Sequence, residues 1–320
     1  DDDKNPIDLT EAWLEYRPYP RAGWRSRVRL GAFYPPLSLE SRALGWESPY
    51  SITPSAIGTW IGEEIRTIGL EGQFDWLGTR QGRAFDFQFT GAVFGWNDPA
   101  GTMLADHGFA LHDRQTTLFG RVGSPQTDLT KSRKELFHEI DDRAGYYVGA
   151  QARYLDRAVF NFLHYDNRGD PTQQSAELRD MAWDTRFDAA ALRIETGNNW
   201  TVLVQALKGE TAINPFRLLL WEYASQSALL AKRWGRHMLA ARYDAFEVEF
   251  DQHANWAGSE DGHAWTAAWT FERDDRWRFA LEWLRVASDV PARTAEFGEP
   301  PFAAETRIEL SARYRLHGNL

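Results

Sequence analysis

The sequence predicts an all-β protein, an antiparallel transmembrane β-barrel, and three observations predict it. Apolar and polar side chains alternate along many short segments, and the connectors between these segments are alternately short and long. No apolar run reaches the ~18–20 residues that a membrane-spanning helix requires. A barrel strand needs only about 9–11 residues, half of which can be polar because they face the lumen. A mean hydropathy of −0.53 is therefore compatible with a barrel.

The period of the alternation is two, which is typical of strands rather than helices. It is clearest in residues 83–95, where Phe85, Phe87 and Phe89 alternate with polar side chains. The polar faces carry opposed charges, and Trp and Phe lie at the ends of the apolar faces, which favours lipid outside and a wet lumen inside. About thirteen such segments are visible. They are residues 9–17, 24–34, 64–76, 83–95, 143–155, 157–165, 181–194, 200–208, 225–233, 237–248, 262–273, 276–286 and 306–316.

The connectors predict the direction of each strand. Connectors after the odd-numbered segments are short, and connectors after the even-numbered segments are long. Outer-membrane barrels have the same asymmetry, with short periplasmic turns and long extracellular loops. The first and the last strand then run the same way. An all-antiparallel barrel would therefore have about 14 strands, with one upward N-terminal strand missing here. Closure by other means and a miscount by one are the alternatives.

The domain prediction is a single barrel over residues 8–320, with long loops at 35–63 and 96–142. Residues 1–7 are set apart as a leader, because Asp1–Lys4 resembles the end of a cleavage tag or an acidic loop.

Composition excludes several classes of function. The chain has no cysteine, which removes thiol nucleophiles, disulfides and cysteine-based zinc sites and suits passage through an oxidising periplasm. A net charge of −10 argues against nucleic acid as a partner. The predicted location is the outer membrane of a Gram-negative bacterium, in contact with lipid and lipopolysaccharide. No cofactor and no metal are predicted.

Part of the chain carries a family resemblance. Residues 9–72 contain TEAWLEYRPYP, RVRLGAFYPPLSLE and EEIRTIGLEG. This stretch resembles the phosphate-selective porin O/P superfamily, whose members share a strand with a Gly-aromatic-x-Pro-Pro element followed by Leu-Glu. The resemblance implies an outer-membrane barrel, an upstream hairpin, a homotrimer and diffusion of small solutes, often anions.

Arginines at alternate positions predict a charged stripe on the lumen wall. Arg25, Arg27 and Arg29 share one face of a strand, where guanidiniums about 7 Å apart can pass an oxyanion along. The alternative is pairing with acidic groups of the preceding strand, which would neutralise the stripe. The predicted pore-lining residues are Arg25, Arg27, Arg29, Glu11, Glu15, Arg17, Arg307, Arg313 and Arg315.

The loop at 96–142 is predicted to fold into the lumen as a constriction, because it is too long for a plain connector. An ordinary outer loop is the alternative, and residues 35–63 are likewise long enough to cap or line the mouth. A metal site at His107 and His112 lacks a carboxylate at a supporting spacing. The constriction candidates are His112, Asp113, Arg114, Lys131, Arg133 and Lys134.

The predicted function is a porin, a passive channel for small hydrophilic solutes with a preference for anions. A barrel filled by its own loops or by a partner protein, acting as a scaffold or surface protein, is the alternative. No enzyme is predicted, because no G-x-S-x-G, Gly-rich phosphate loop or HExxH occurs. Neither His237 nor His263 has a nucleophile placed beside it in the sequence.

Overall fold

A computed structural model describes residues 8–41, 45–123, 133–175, 180–214, 217–250 and 259–315. Thirteen strands form one sheet in which every neighbouring pair is antiparallel. The predicted all-β fold is confirmed. The sheet strands are β1 (Ala12–Tyr16), β2 (Trp24–Phe33), β3 (Thr67–Trp76), β4 (Phe85–Gly95), β7 (Gly145–Tyr154), β8 (Ala158–Asp166), β11 (Asp184–Glu195), β12 (Trp200–Ile213), β13 (Leu219–Trp234), β14 (His237–Phe250), β15 (Glu260–Glu272), β16 (Trp277–Asp289) and β17 (Phe302–Tyr314).

The remaining elements lie in the connectors. None of the described helices is long and apolar enough to cross a membrane. In the described connectors, this group comprises two small hairpins and four short helical segments. They are β5 (Arg121–Gly123) with β6 (Arg133–Glu135), β9 (Gln174–Ser175) with β10 (Asp180–Met181), α1 (Ala56–Glu64), α2 (Thr102–His107), α3 (Ala292–Phe297) and a 3-10 turn at Gly78–Gln81.

The two faces of the sheet differ as the alternation predicts. On β15, Trp265 is 51% exposed, whereas the neighbouring Thr266 is 3% exposed. Leu70, Phe89 and Val93 are also exposed on the outer face. A band of apolar and aromatic side chains on the outside of a closed or nearly closed sheet is the surface that such a fold presents to lipid.

The sheet curves around the loop between β2 and β3, because both of its edges contact that loop. Just before β1, Glu11 accepts a 3.2 Å hydrogen bond from the N–H of Gly45. On β17, Arg307 donates a 3.2 Å hydrogen bond to the Thr53 hydroxyl. We call residues 34–41 and 45–66 the plug.

The edge strands β1 and β17 run in the same direction and have no strand pairing with each other among the described residues. A segment from the long loop lies between them instead. Arg307 donates to the carbonyl of Leu111 at 3.2 Å, and the N–H of Leu118 donates to the carbonyl of Leu9 at 2.7 Å. The missing upward strand stays a prediction, and residues 1–7 lie outside the described part of the chain.

Helix α1 begins where the sequence provides a cap. The Ser55 hydroxyl accepts a 3.1 Å hydrogen bond from the N–H of Gly58, which satisfies a donor that the helix cannot pair internally. The helix ends at Glu64, so β3 starts three residues later than predicted. A tertiary contact explains the longer helix. The buried Glu64 carboxylate accepts a hydrogen bond from the N–H of Met103 at 2.8 Å, at the start of α2.

The lumen around α1 is filled with apolar side chains. Trp60 is 2% exposed, and its ring meets those of Phe187 at 5.3 Å and Tyr223 at 5.1 Å in edge-to-face contacts. Leu207 and Phe246, which point inward from β12 and β14, belong to the same buried cluster. The predicted wet lumen is therefore wrong at this level of the barrel, where the plug and the wall form a packed core.

Candidate functional site in the lumen

The plug is fixed to the wall at a buried arginine. Arg242 of β14 is 2% exposed, and its guanidinium donates to Asp244 at 2.7 Å and to Glu40 at 3.1 Å. The same group donates to the carbonyls of Thr53 at 2.9 Å and Pro54 at 2.8 Å. A buried charge is stable only when it is paired and hydrogen-bonded in this way. This network fastens the plug to the middle of the wall.

Further anchors reach the plug from other strands. Each is a polar side chain that points inward from the wall and bonds to plug backbone or to a plug hydroxyl. Glu282, for example, accepts the N–H of Ile52 at 2.6 Å and that of Thr53 at 3.1 Å. The anchors are Asn161 of β8, Gln205 of β12, Glu282 of β16 and Arg307 of β17. Because they come from widely separated strands, the plug spans the lumen from side to side.

One carboxylate of the plug lies between two histidines. The Nε2 atom of His107 is 3.7 Å from Oε2 of Glu63, and the Nε2 atom of His112 is 3.6 Å from Oε1. His107 ends α2 and His112 follows in the same loop, so two segments of the chain meet at this point. Burial would raise the pKa of Glu63, but the two histidines and the nearby Arg114 together hold that pKa below its ordinary value.

A cavity of about 590 Å³ opens beside this group. Its wall includes Arg114, which is exposed, and Arg121, which forms a 2.6 Å ion pair with Glu135. The hydroxyl-bearing Thr116 and Thr117 complete the polar side of the cavity. A concave space with a few converging polar groups is the usual form of a small-molecule site. We take this cavity as the candidate functional site.

The predicted pore-lining residues of β1 and β2 lie together on the wall of a second cavity, of about 370 Å³. Arg25 pairs with Asp75 at 2.6 Å, and both Arg27 and Arg29 pair with Glu71 at 2.8 Å. Their role as pore-lining groups remains a prediction. Glu11 and Arg17 line this cavity, and Glu15 lies 3.6 Å from Arg27.

The three predicted arginines of the last strand lie elsewhere. Arg307 contacts the plug as described above, Arg313 forms an ion pair with Glu47 of the plug, and Arg315 is exposed beyond the end of β17. The charge of Arg313 is thus paired by the plug, whereas that of Arg307 is paired by Glu309 of its own strand at 3.0 Å.

The constriction candidates are only partly brought together. His112 and Arg114 lie at the first cavity, whereas Asp113 lines a separate pocket next to Arg313. Lys134 lies on β6. Lys131 and the side chain of Arg133 are outside the described residues.

A second polar cluster holds the two long-loop ends together. Oxygens of Asp98, Glu139 and Asp141 lie within 4.8 Å of one another. Burial, followed by the neighbouring carboxylates, raises the pKa of Asp98 to about 7, although the N–H groups of Ile140 and Asp141 donate to it. The cluster belongs to the loops outside the membrane-spanning strands.

This raised pKa predicts how loop stability depends on pH. A carboxyl group with a folded-state pKa above its unfolded value of about 3.8 stabilises the fold fully only at low pH, and the stabilisation disappears as the pH rises towards 7. The loop at 96–142 is therefore expected to become easier to open between about pH 4 and pH 7. Hydrogen exchange of this loop measures the effect, and Asp98→Asn should flatten the dependence. An unchanged slope in that variant would contradict this origin.

The sequence analysis missed Glu63, the residue that joins the two histidines. Glu63 is separated from His107 by a whole strand hairpin, so no local spacing reveals the group. The signal available was a helical segment in residues 56–64 with a Ser cap, within a loop that was expected only to cap or line the mouth.

No family model matches the chain, and no curated protein matches it. Similar solved structures are outer membrane proteins of Vibrio cholerae. A loop L8 deletion mutant of OmpT has a TM-score of 0.50 at 11% identity, over 90% of this chain and 75% of that chain. OmpT expressed in the outer membrane gives 0.46 at 12% identity over 90% and 76%, and in-vitro folded OmpT gives 0.39 at 11% over 95% and 94%.

The first of these similarities shows the fold, that of outer-membrane β-barrels. Together with the apolar outer face of the sheet, it confirms the predicted location in an outer membrane, in contact with lipid and lipopolysaccharide.

Two functional predictions are corrected. The porin prediction is wrong, because the similar structures support an outer-membrane barrel without supporting a channel, and the plug is anchored across the lumen. The prediction that the chain is not an enzyme is also corrected. It rested on the absence of catalytic sequence motifs, whereas Glu63, His107 and His112 converge beside a cavity without any such motif, and similarity to OmpT barrels gives no ground for excluding catalysis.

Proposed function

We propose that this chain is a lumen-filled outer-membrane barrel whose plug and long loop form a ligand-binding site on the loop side of the membrane. The observation that carries the proposal is the anchoring of the plug to β8, β12, β14, β16 and β17. A segment fixed to so many strands stays in the lumen as part of the fold. The long connectors of such barrels lie outside the cell, so the cavity beside Glu63 would receive its ligand there.

The family origin of the chain and its assembly state are two further proposals. The likeness of residues 9–72 to the phosphate-selective porin O/P superfamily is a proposal about the origin of the barrel wall and carries no transport activity with it. A homotrimer or a partner protein also stays a proposal. The mass of the detergent-solubilised protein, corrected for bound detergent, tests it.

The filled lumen predicts electrical silence in a planar bilayer. The intact protein is expected to give no steady ohmic steps, because the plug blocks the path. Replacing residues 47–62 with a short Gly/Ser linker removes most of α1 and the groups held by Glu282 and Arg307, and should produce such steps. The control replaces residues 292–299, which include α3 in an exposed connector, in the same way and should stay silent.

Folding of each protein is checked by heat-modifiable mobility before insertion. Steady conductance of the intact protein would overturn the proposal. Silence of the plug-deleted barrel would show that other parts of the chain close the lumen.

A further inference from the structure

We infer that Glu63, His107 and His112 form a binding site for one divalent transition-metal ion, with zinc as the ion of first choice. The inference names a ligand for the cavity described above and rests on the proposed function for its biological role. The metal site itself is argued from the geometry of the three side chains. Two imidazoles and one carboxylate are a common set of protein ligands for zinc.

The contact of His107 with Gly108 sets the tautomer of its ring. Its Nδ1 lies 3.0 Å from the carbonyl oxygen of Gly108, and a carbonyl oxygen only accepts hydrogen bonds. Nδ1 therefore carries the hydrogen, and in a neutral ring the Nε2 atom presents a lone pair. Metal-binding histidines usually have this arrangement, in which the nitrogen that does not bind the ion donates to a carbonyl or carboxylate.

The Nε2 atom of His107 faces a carboxylate oxygen. Oε2 of Glu63 lies 3.7 Å from that Nε2 atom, beyond the 2.7–3.2 Å of an ordinary N–H···O hydrogen bond. A cation between the two atoms, either the proton of an imidazolium ring or a metal ion, makes such an approach favourable in a partly buried place. Two ligands of one tetrahedral zinc ion, each about 2.0–2.1 Å from the metal, lie roughly 3.4 Å apart, close to the separation seen here.

His112 completes the set from the other side of the carboxylate. Its Nε2 lies 3.6 Å from Oε1 of Glu63, which is again too long for a hydrogen bond. Its Nδ1 is buried and has no hydrogen-bond partner among the residues that the structure describes. The two imidazoles face different oxygens of Glu63, so a carboxylate that binds through both oxygens would place the ion between the rings, and both rings must turn towards it to complete the coordination.

The surroundings favour an ion with an open position. Three protein ligands next to a cavity of about 590 Å³ are typical of zinc sites that exchange a water or a bound ligand, whereas purely structural sites have four protein ligands. Arg114 and Arg121 on the same cavity would attract an anionic group to the remaining position. The chain has no cysteine, so no thiolate elsewhere in the chain competes with these three side chains for zinc.

The test uses the full chain, refolded without a polyhistidine tag and freed of metal by a chelator. Titration with Co²⁺ is expected to give the visible absorption of a four- or five-coordinate ion, and Zn²⁺ is expected to displace it at one ion per chain. Glu63→Gln, His107→Ala and His112→Ala should each weaken binding by about 100-fold or more, since even removal of a supporting partner costs 10–100-fold. His164→Ala is the matched control, because His164 pairs with Asp188 in the wall and should bind as the parent does.

Heat-modifiable mobility confirms that each variant has folded. Absence of Co²⁺ absorption in the folded parent would overturn the inference, as would binding that survives all three ligand variants or is lost in the His164 variant. The conductance experiment is independent of this titration. A silent barrel without metal binding would refute the site alone, and a conducting barrel that binds one ion would refute the filled lumen alone.

Discussion

Replacing Arg242 with alanine is expected to lower the free energy of unfolding by about 3–5 kcal/mol, because the change leaves buried acidic groups without their cation. Glu40 and Asp244 are both fully buried beside Arg242, at 3.1 and 2.7 Å. The guanidinium also holds the plug carbonyls of Thr53 and Pro54, so the plug should loosen together with the wall. Equilibrium unfolding in urea, followed by tryptophan fluorescence, measures the loss.

The matched control for this experiment is Arg233→Ala. Arg233 also forms an ion pair from a strand, at 3.2 Å to Glu272, but both side chains are more than 40% exposed. Exposed pairs contribute only about 0–1 kcal/mol. An Arg242 variant that lost no more stability than the control would show that the buried network does not hold the plug.

Replacing Trp60 with alanine is expected to have an effect of similar size, about 3–5 kcal/mol, because it leaves a large cavity in a packed core. Trp60 is 2% exposed and its ring contacts those of Phe187, Tyr223 and Phe109. Its indole N–H also donates to Glu64 at 2.7 Å, so the variant removes a partner of that buried carboxylate. Urea unfolding and the rate of proteolysis within the plug are the two measurements.

Trp265→Ala is the control for the loss of an aromatic side chain. Trp265 lies on the outer face at 51% exposure, where detergent or lipid takes the place of the ring. Trp60→Phe should recover part of the loss, since it keeps an aromatic ring in the same space. Equal destabilisation of the Trp60 and Trp265 variants would mean that the lumen is not a packed core.

The sequence predicted the wall well because the wall follows a local rule. Alternation with period two depends on neighbours in the chain, and each of the thirteen sheet strands overlaps a predicted segment. The errors lie at strand ends, where tertiary contacts decide. Strand β13 begins at Leu219, well before the predicted residue 225, because pairing with β12 extends as far as Ile213.

The contents of the lumen could not be predicted in the same way. Inward positions such as Phe187, Tyr223 and Phe246 look like ordinary apolar members of a strand until a partner in the lumen is known. That partner is α1, which lies in a connector far from these strands in sequence. The candidate site depends on the same kind of contact, because Glu63 meets His107 and His112 only when two loops fold inward together.

The sequence predicted the shared face of the three arginines but not all of their partners. The shared face of Arg25, Arg27 and Arg29 follows from the strand period and is present in the structure. The residues that pair with them include Asp75 and Glu71 of β3, whereas the sequence indicated only the acidic groups of the first strand. Cross-strand partners depend on register, and register is fixed by the whole hairpin and not by either strand alone.

The anchoring of the plug also sets the order in which the chain can assemble. The plug precedes β3, yet Thr53 is 254 residues from Arg307 and Glu47 is 266 residues from Arg313, whereas each strand of the wall pairs with a strand close to it in sequence. Contacts between distant residues form slowly, because a long stretch of chain must be ordered first. The wall can therefore grow hairpin by hairpin, but the plug is seated only when the final strands arrive. A firmly held plug thus reports that the last strand is in place.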